Sequence, residues 1–199
     1  MEKQNKKIIG ITGGVGAGKS SVMEILRQEY GAKIILADLV AHDLMEPGEE
    51  GLKKITEALG TGFLHTDGRV DRKSLADLIF HDETARKTMN GIIHPMVWKR
   101  ITSEALCCPE SLVVIEAAVF DTAPDGLFDE IWYVYTTEEK RVERLMESRG
   151  YTREKCESIM KQQDSEAIYR SRCSRVIDNN GGTEKTAEQL KEILGHETC

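Results

Sequence analysis

Residues Gly13-Gly14-Val15-Gly16-Ala17-Gly18-Lys19-Ser20 complete the pattern G-x-x-x-x-G-K-[ST], and they stand in the setting that pattern needs. The apolar run Ile8-Ile9-Gly10-Ile11 comes before, and a helical pattern from Ser20 to Tyr30 follows. Strand, glycine-rich turn and helix in this order open a parallel α/β sheet and leave little room for another fold class. The loop backbone can turn successive N–H groups inward around phosphate oxygens, and the helix behind adds its positive end. Lys19 supplies a mobile cation for the outer phosphates, and the Ser20 hydroxyl is a candidate Mg²⁺ ligand. The segment implies a bound nucleoside triphosphate, with every residue from Gly13 to Ser20 in the binding loop.

The rest of the chain alternates in the same sense. Lys33–Leu36 predicts a second strand, and a helix is expected from Asp38 to Met45, closed by Glu46-Pro47-Gly48. From there to Cys108 the pattern is almost wholly helical, with a turn at Asp67-Gly68. Leu112–Ile115 and Ile131–Tyr135 are continuous apolar runs of the kind buried in parallel sheets, and Val176-Ile177 predicts a last short strand. Thr136 and Glu139 have capping-box spacing at the start of an arginine-rich helix, and Glu184–Leu194 predicts a closing one. The pattern predicts one domain over 1–199, a doubly wound parallel sheet of the P-loop nucleoside-triphosphate hydrolase type, with ligands at the carboxyl ends of the strands. A helical insertion at about 39–110 is placed to form one wall of a cleft.

Charge narrows the partners. With 34 acidic against 27 basic residues the net charge is −7, which argues against general binding to nucleic acid or an anionic membrane. The first apolar run has the length of a strand, too short for a signal or a membrane span. Cys107, Cys108, Cys156, Cys173 and Cys199 are five in number and form no C-x-x-C, which fits reduced thiols in a cytoplasmic protein better than a metal site. Oligomeric state is not legible.

A phosphate loop alone does not separate kinase, GTPase and ATPase. No N-K-x-D guanine motif is present, and Asp178-Asn179-Asn180-Gly181 matches D-x-x-G too near the C-terminus to serve a GTPase. Motor-type ATPases need larger domains, so a small phosphotransferase is the expected class. A nucleotide-dependent switch without turnover is the alternative of another kind. A kinase also needs a group for the acceptor hydroxyl, a metal anchor, cations for the transferring phosphoryl and a lid against water. Asp38, just past the second strand, is either the base that accepts the hydroxyl proton or the N-cap of the next helix. Glu116, directly after the Leu112–Ile115 run, is either an acid for Mg²⁺ or a solvated strand-end carboxylate. Seven arginines crowd 141–175, and most such arginines pair with nearby Glu on a wet face. Arg149 stands out because Gly150 follows it at a helix end, from which a guanidinium could swing onto phosphate; Arg144 and Arg153 are lesser candidates. His94-Pro95 is expected to end a helical stretch, with His94 more a substrate contact than an acid–base group. Trp98 and Trp132 are expected in a core or cleft wall, and Met89, Met96 and Met160 as packing residues.

Over about residues 7–182 the chain resembles the dephospho-coenzyme A kinase family. Ile11-Thr12-Gly13-Gly14-Val15-Gly16-Ala17-Gly18-Lys19-Ser20 is similar to that family's L-T-G-G-I-G-S-G-K-S, and Ala37-Asp38-Leu39-Val40-Ala41-His42 to its D-A-D-x-[IV]-A-[RH]. Asp67-Gly68-Arg69-Val70-Asp71-Arg72 resembles D-G-x-L-D-R, and Asn90-Gly91-Ile92-Ile93-His94-Pro95 resembles L-N-x-I-x-H-P. Gln163 and Val176-Ile177-Asp178-Asn179-Asn180-Gly181 match its late Gln and V-I-x-N-x-G. The resemblance implies phosphorylation by ATP of the ribose 3′-hydroxyl of dephospho-coenzyme A, the last step of coenzyme A biosynthesis, with Mg²⁺. It makes Asp38 the base, Thr12, Arg72, His94 and Glu116 substrate contacts, and the insertion an acceptor-binding domain. It also makes 138–173 the lid and puts Asn179 in the loop near adenine. A kinase for another nucleoside or nucleotide is the alternative within the class. Three departures stand out: Leu36 for the first Asp of D-A-D, Glu116-Ala117-Ala118-Val119-Phe120-Asp121 for D-x-P-L-L-F-E, and Tyr169-Arg170 with Cys173-Ser174 for a basic residue and Ala-Asp.

Overall fold

The computed structural model describes residues 6–118 and 120–195; Val119 and Cys199, both named above, lie outside the described residues. The chain divides into two compact units. The first is built on a five-stranded sheet in the order β2-β3-β1-β4-β5, from β1 (Lys7–Thr12), β2 (Lys33–Leu36, whose Lys33 and Ile34 belong to this unit), β3 (Leu112–Glu116), β4 (Glu130–Tyr135) and β5 (Arg175–Asp178). β1 is central and runs parallel to β3 on one side and β4 on the other, and β4 runs parallel to β5. The register sets Ile11 beside Glu116 and Thr12 beside Tyr133, so those residues share the carboxyl edge. On the three inner strands Ile8, Ile9, Ile11, Val113, Val114, Ile115, Trp132 and Val134 have no exposure at all, nor has Ile177 on the edge strand β5. Each such side chain contributes roughly 1.5–3 kcal/mol against leaving it in water. This unit also carries α1 (Lys19–Tyr30), α6 (Glu138–Arg149), α7 (Arg153–Lys161), α8 (Glu166–Arg172) and α9 (Thr183–Gly195). Val142, Leu145 and Cys156 form a small core between α6 and α7, with Met160 packed against it.

The second unit comprises Ile35–Cys107 and Phe120–Pro124. Its helices are α2 (Ala37–Asp43), α3 (Glu50–Leu59), α4 (Arg72–His81) and the long α5 (Glu83–Cys107), against which the other three pack. Asp71 caps α4, its carboxylate accepting from the backbone of Lys73 and Ser74. The Asp67-Gly68 turn forms as expected, with Arg69 N–H donating to Asp67 Oδ1 at 3.0 Å. Phe120–Pro124 joins this unit through Trp98, whose Nε1 donates to Thr122 Oγ1 at 2.9 Å and whose ring meets Phe120.

Two local expectations are corrected. His94-Pro95 does not end a helix, because α5 runs straight through it. Proline takes away one backbone donor, and the carbonyl left over is that of exposed Gly91, where water can serve it. Burial of Ile93, Val97, Trp98 and Ile101 along one stripe holds the helix on either side. Thr136 does not cap α6: the cap position is Thr137, and the Thr136 hydroxyl points into the protein. Among the described residues no helix is long and apolar enough to cross a membrane.

Candidate active site

The phosphate loop connects β1 to α1, and the N-cap of α1 is Gly18, in left-handed conformation at φ 85°. No acidic residue occupies the first turn of α1, so its positive end is left for an anion. Gly13 is needed where it stands, at φ 150° with the Val134 carbonyl oxygen only 2.6 Å from any added Cβ.

The loop is held from outside by side chains that meet its backbone. Three donors converge on the Ala17 carbonyl: Thr136 Oγ1 at 2.9 Å, Asn179 Nδ2 at 2.8 Å and Arg144 Nη1 at 3.3 Å. Arg144 Nη2 also donates to the Asn179 carbonyl at 2.8 Å, and the Thr186 hydroxyl donates to Asn179 Oδ1 at 2.9 Å. Asn179 is 5% exposed, so its amide braces the loop and does not stand open to a base. Val15 is gripped at both backbone groups, its N–H by Gln163 Oε1 and its carbonyl by Arg141 Nε.

At the mouth of the loop Lys19 Nζ donates to the Gly13 carbonyl at 2.8 Å and lies 3.4 Å from Glu116 Oε1. Both side chains keep about a fifth of their surface in water, 20% and 18%. Ser20 is exposed in the first turn of α1. Thr12 is buried, and its hydroxyl donates to the Ala118 carbonyl at 3.3 Å.

The arginines divide by partner. Arg153 pairs with Glu139, Arg170 with Glu166, Arg172 with Asp164 and Arg175 with Glu130. Arg149 is exposed at the last turn of α6, its guanidinium 6.0 Å from the Tyr151 ring centre. Arg141 and Arg144, one turn apart on α6, are the two that reach the phosphate loop. Sequence reasoning put Arg149 first because it weighed hinge position; the signal for Arg141 and Arg144 was their spacing on one helix face. The departure at Tyr169-Arg170 has a structural use: Tyr169 stacks on Tyr133 at 4.8 Å, and Arg170 lies over Tyr135 at 5.1 Å. Burial pushes the Tyr133 phenol up to about 12.

In the helical unit Asp38 lies in the first turn of α2 and is exposed. The cap of α2 is Leu36, so Asp38 is not the N-cap. Arg72 Nη1 lies 3.1 Å from His42 Nδ1 and 3.0 Å from Nε2, which puts the guanidinium across the ring. Both border a pocket of about 360 Å³ with apolar walls from Met45, Leu75, Ile79 and Met89. His94 is half-buried in the middle of α5 and is not among the residues lining that pocket.

A glycine-rich loop at the carboxyl edge of a parallel sheet, with the Lys19–Glu116 pair at its mouth, defines a protein of the P-loop kinase type. The chain belongs to the dephospho-CoA kinase family, whose model matches residues 7–185. It is 38% identical to the dephospho-CoA kinase of Moorella thermoacetica, over 92% of this chain and 89% of that one. With the dephospho-CoA kinase of Geobacillus kaustophilus it shares 35% identity over 94% of both. A crystal structure of a Thermus thermophilus protein superposes with a TM-score of 0.80 at 31% identity, covering 98% of this chain and 99% of that one. The fold is also shared with a shikimate kinase from Acinetobacter baumannii, at a TM-score of 0.51 and 16% identity over 98% and 96% of the two chains.

Proposed function

We propose that this chain transfers the terminal phosphoryl group of ATP to the ribose 3′-hydroxyl of dephospho-CoA, giving CoA and ADP. The carrying observation is the phosphate loop with Lys19 resting 2.8 Å from the Gly13 carbonyl, beside Glu116. An incoming triphosphate presents denser negative charge than that carbonyl. The flexible Lys19 ammonium can leave its present partners and follow the charge, steadying the outer phosphates as one shifts to the acceptor.

Asp38, exposed and not engaged in capping, accepts the proton of the attacking 3′-oxygen and fixes its direction of approach. Arg72 and His42, beside the apolar pocket of the helical unit, are placed to take an acceptor with anionic and aliphatic parts. His94 is assigned to the acceptor side with them. Residues 138–173 are assigned as the lid, with Arg149 its mobile cation.

Among the described residues no three His, Cys, Asp or Glu side chains cluster as a metal cage. Ser20 and Glu116 are hard oxygen donors, and two such donors completed by phosphate oxygens and water suit Mg²⁺. They would hold it, and when bound it would neutralise charge on the outer phosphates. Cys107, Cys108, Cys156 and Cys173 form no disulfide with one another, which supports a cytoplasmic setting.

The test is to incubate the protein with Mg-ATP and dephospho-CoA and to locate the new phosphate on the product by ³¹P NMR and mass spectrometry. Phosphate on the ribose 3′-oxygen is the expected result. No product, or faster phosphorylation of AMP or a free nucleoside, overturns the reading.

A further inference from the structure

Gln163, just past α7, uses one atom for two bonds. Its Oε1 accepts from the Val15 N–H at 3.1 Å and from Arg141 Nη2 at 2.6 Å. Arg141 in turn donates through Nε to the Val15 carbonyl at 2.8 Å. The three residues close a ring although Val15 lies 126 positions from Arg141 and 148 from Gln163. The ring fixes the plane of the guanidinium as well as its position.

That plane lies directly on the phosphate loop. A Cβ added at Gly14 would fall 2.3 Å from Arg141 Nη2, 2.5 Å from Cζ and 2.9 Å from Nη1. Gly14 has no positive φ, so its lack of a side chain is explained by space for this guanidinium. The charge of Arg141, like that of Arg144, has no carboxylate bonded to it. Its hydrogen-bond partners are a carboxamide and a backbone carbonyl, both neutral, whereas Arg153, Arg170, Arg172 and Arg175 each face a carboxylate. Two of its five N–H groups are engaged in these bonds, and Nη1 is free to take a new acceptor. A full cation held rigid against a phosphate loop, without an acid to neutralise it, is built to meet an anion.

We propose that Arg141 contacts the phosphates of the nucleotide in the donor site, and that Gln163 is the positioning residue that sets Arg141 there. The choice of glutamine follows from the role. A glutamate could make both bonds but would cancel the charge Arg141 brings, and a shorter or apolar side chain would release the guanidinium. The same bonds tie the segment after α7 to the loop. The proposal rests on the donor-site reading above.

The test compares steady-state kinetics of Arg141→Ala, Gln163→Ala, the double variant and Gln163→Glu, with ATP and dephospho-CoA varied separately and ATP binding measured without acceptor. Arg141→Ala should raise KM for ATP about tenfold, with KM for dephospho-CoA moving less than about twofold. Gln163→Ala should raise KM for ATP about three- to fivefold alone but less than about 1.5-fold once Arg141 is already alanine. Gln163→Glu keeps the acceptor oxygen and should melt no lower than the parent, yet it should raise KM for ATP at least as much as Gln163→Ala. That outcome separates positioning of a charge from simple bracing, which the glutamate would restore. Multiplying effects in the double variant, or a parent-like KM for ATP in Arg141→Ala or Gln163→Glu, overturns the proposal. An inactive parent protein would instead overturn the donor-site reading itself.

Discussion

In the phosphate-loop unit, almost every bond around residues 13–20 ends on backbone: Thr136, Arg144 and Asn179 meet the Ala17 carbonyl, and Arg141 meets that of Val15. In the helical unit the corresponding groups meet each other, as Arg72 meets His42 across a half-open pocket. The first arrangement grips the main chain of Val15 and Ala17 and is intolerant of any shift in it. The second places its chemistry on helix faces, where a side chain can be changed with little effect on the fold. Exposed ion pairs occur in both units, as with Arg170–Glu166 and Arg153–Glu139 in the sheet unit, but the sheet unit adds a more buried one. Glu50–Lys54 and Glu83–Lys87 in the helical unit are exposed i,i+4 pairs of small value, whereas Glu130 in the sheet unit is 17% exposed and met by Arg175, Lys7 and Trp132.

The largest test of this contrast is on activity. Lys19→Ala should lower kcat/KM by about 10³-fold and weaken ATP binding, because it removes charge from the loop itself. Asp38→Asn should lower kcat by roughly 10²–10³-fold while leaving ATP affinity within about twofold, as read by nucleotide binding without acceptor. If both variants lose nucleotide affinity alike, the division of labour is wrong.

Main-chain intolerance comes next. Gly13→Ala forces a Cβ to within 2.6 Å of the Val134 carbonyl oxygen. It should cost about 2–4 kcal/mol, a fall in Tm of roughly 5–15 °C, together with loss of ATP binding. Arg72→Ala should instead leave Tm within about 2 °C and raise KM for dephospho-CoA about tenfold without moving that for ATP. An Arg72 variant that melts early would mark the helical unit as no more tolerant than the sheet unit.

Acid stability should separate the units further. The Arg175 hydrogen bond, aided by Trp132 and Lys7, holds the Glu130 carboxyl down at about 2 from an ordinary 4.5. A carboxylate lowered in the folded state stabilises fully above its ordinary value, and that contribution fades as pH falls from about 4.5 to about 2. Denaturation of Glu130→Gln should therefore show a lower stability at pH 7 and a flatter decline below pH 4.5 than the parent. Parallel curves would remove Glu130 from the account. The smallest effect expected is a gain. Gly91→Ala, exposed within α5 with nothing inside 4 Å of the new Cβ, should stabilise by about 0.5–1 kcal/mol and leave both KM values unchanged.

What the sequence disclosed follows from how each feature is encoded. The phosphate loop and the strands at Leu112–Glu116 and Glu130–Tyr135 carry local patterns, glycine spacing and unbroken apolar runs, and they form where those patterns lie. Thr136 was misread as half of a capping box because its real partner, the Ala17 carbonyl, is 119 residues away and leaves no local trace. The contacts of Arg141 and Gln163 were hidden for the same reason: an arginine on a helix looks alike whether it faces a glutamate or a distant loop. Pro95 was read as a stop because the rule considers the lost hydrogen bond and not the buried stripe on both sides of it. Return of Phe120–Pro124 to the helical unit depends on Trp98 and Thr122 meeting in space.

The bond from Asn179 to Ala17 spans 162 residues. During synthesis the phosphate loop leaves the ribosome long before the amide that braces it. A nascent chain therefore carries an unbraced loop until Asn179 has emerged. Loss of the last strand and helix by early termination would leave most of the sheet sequence intact and still give a chain unable to keep its donor site in shape.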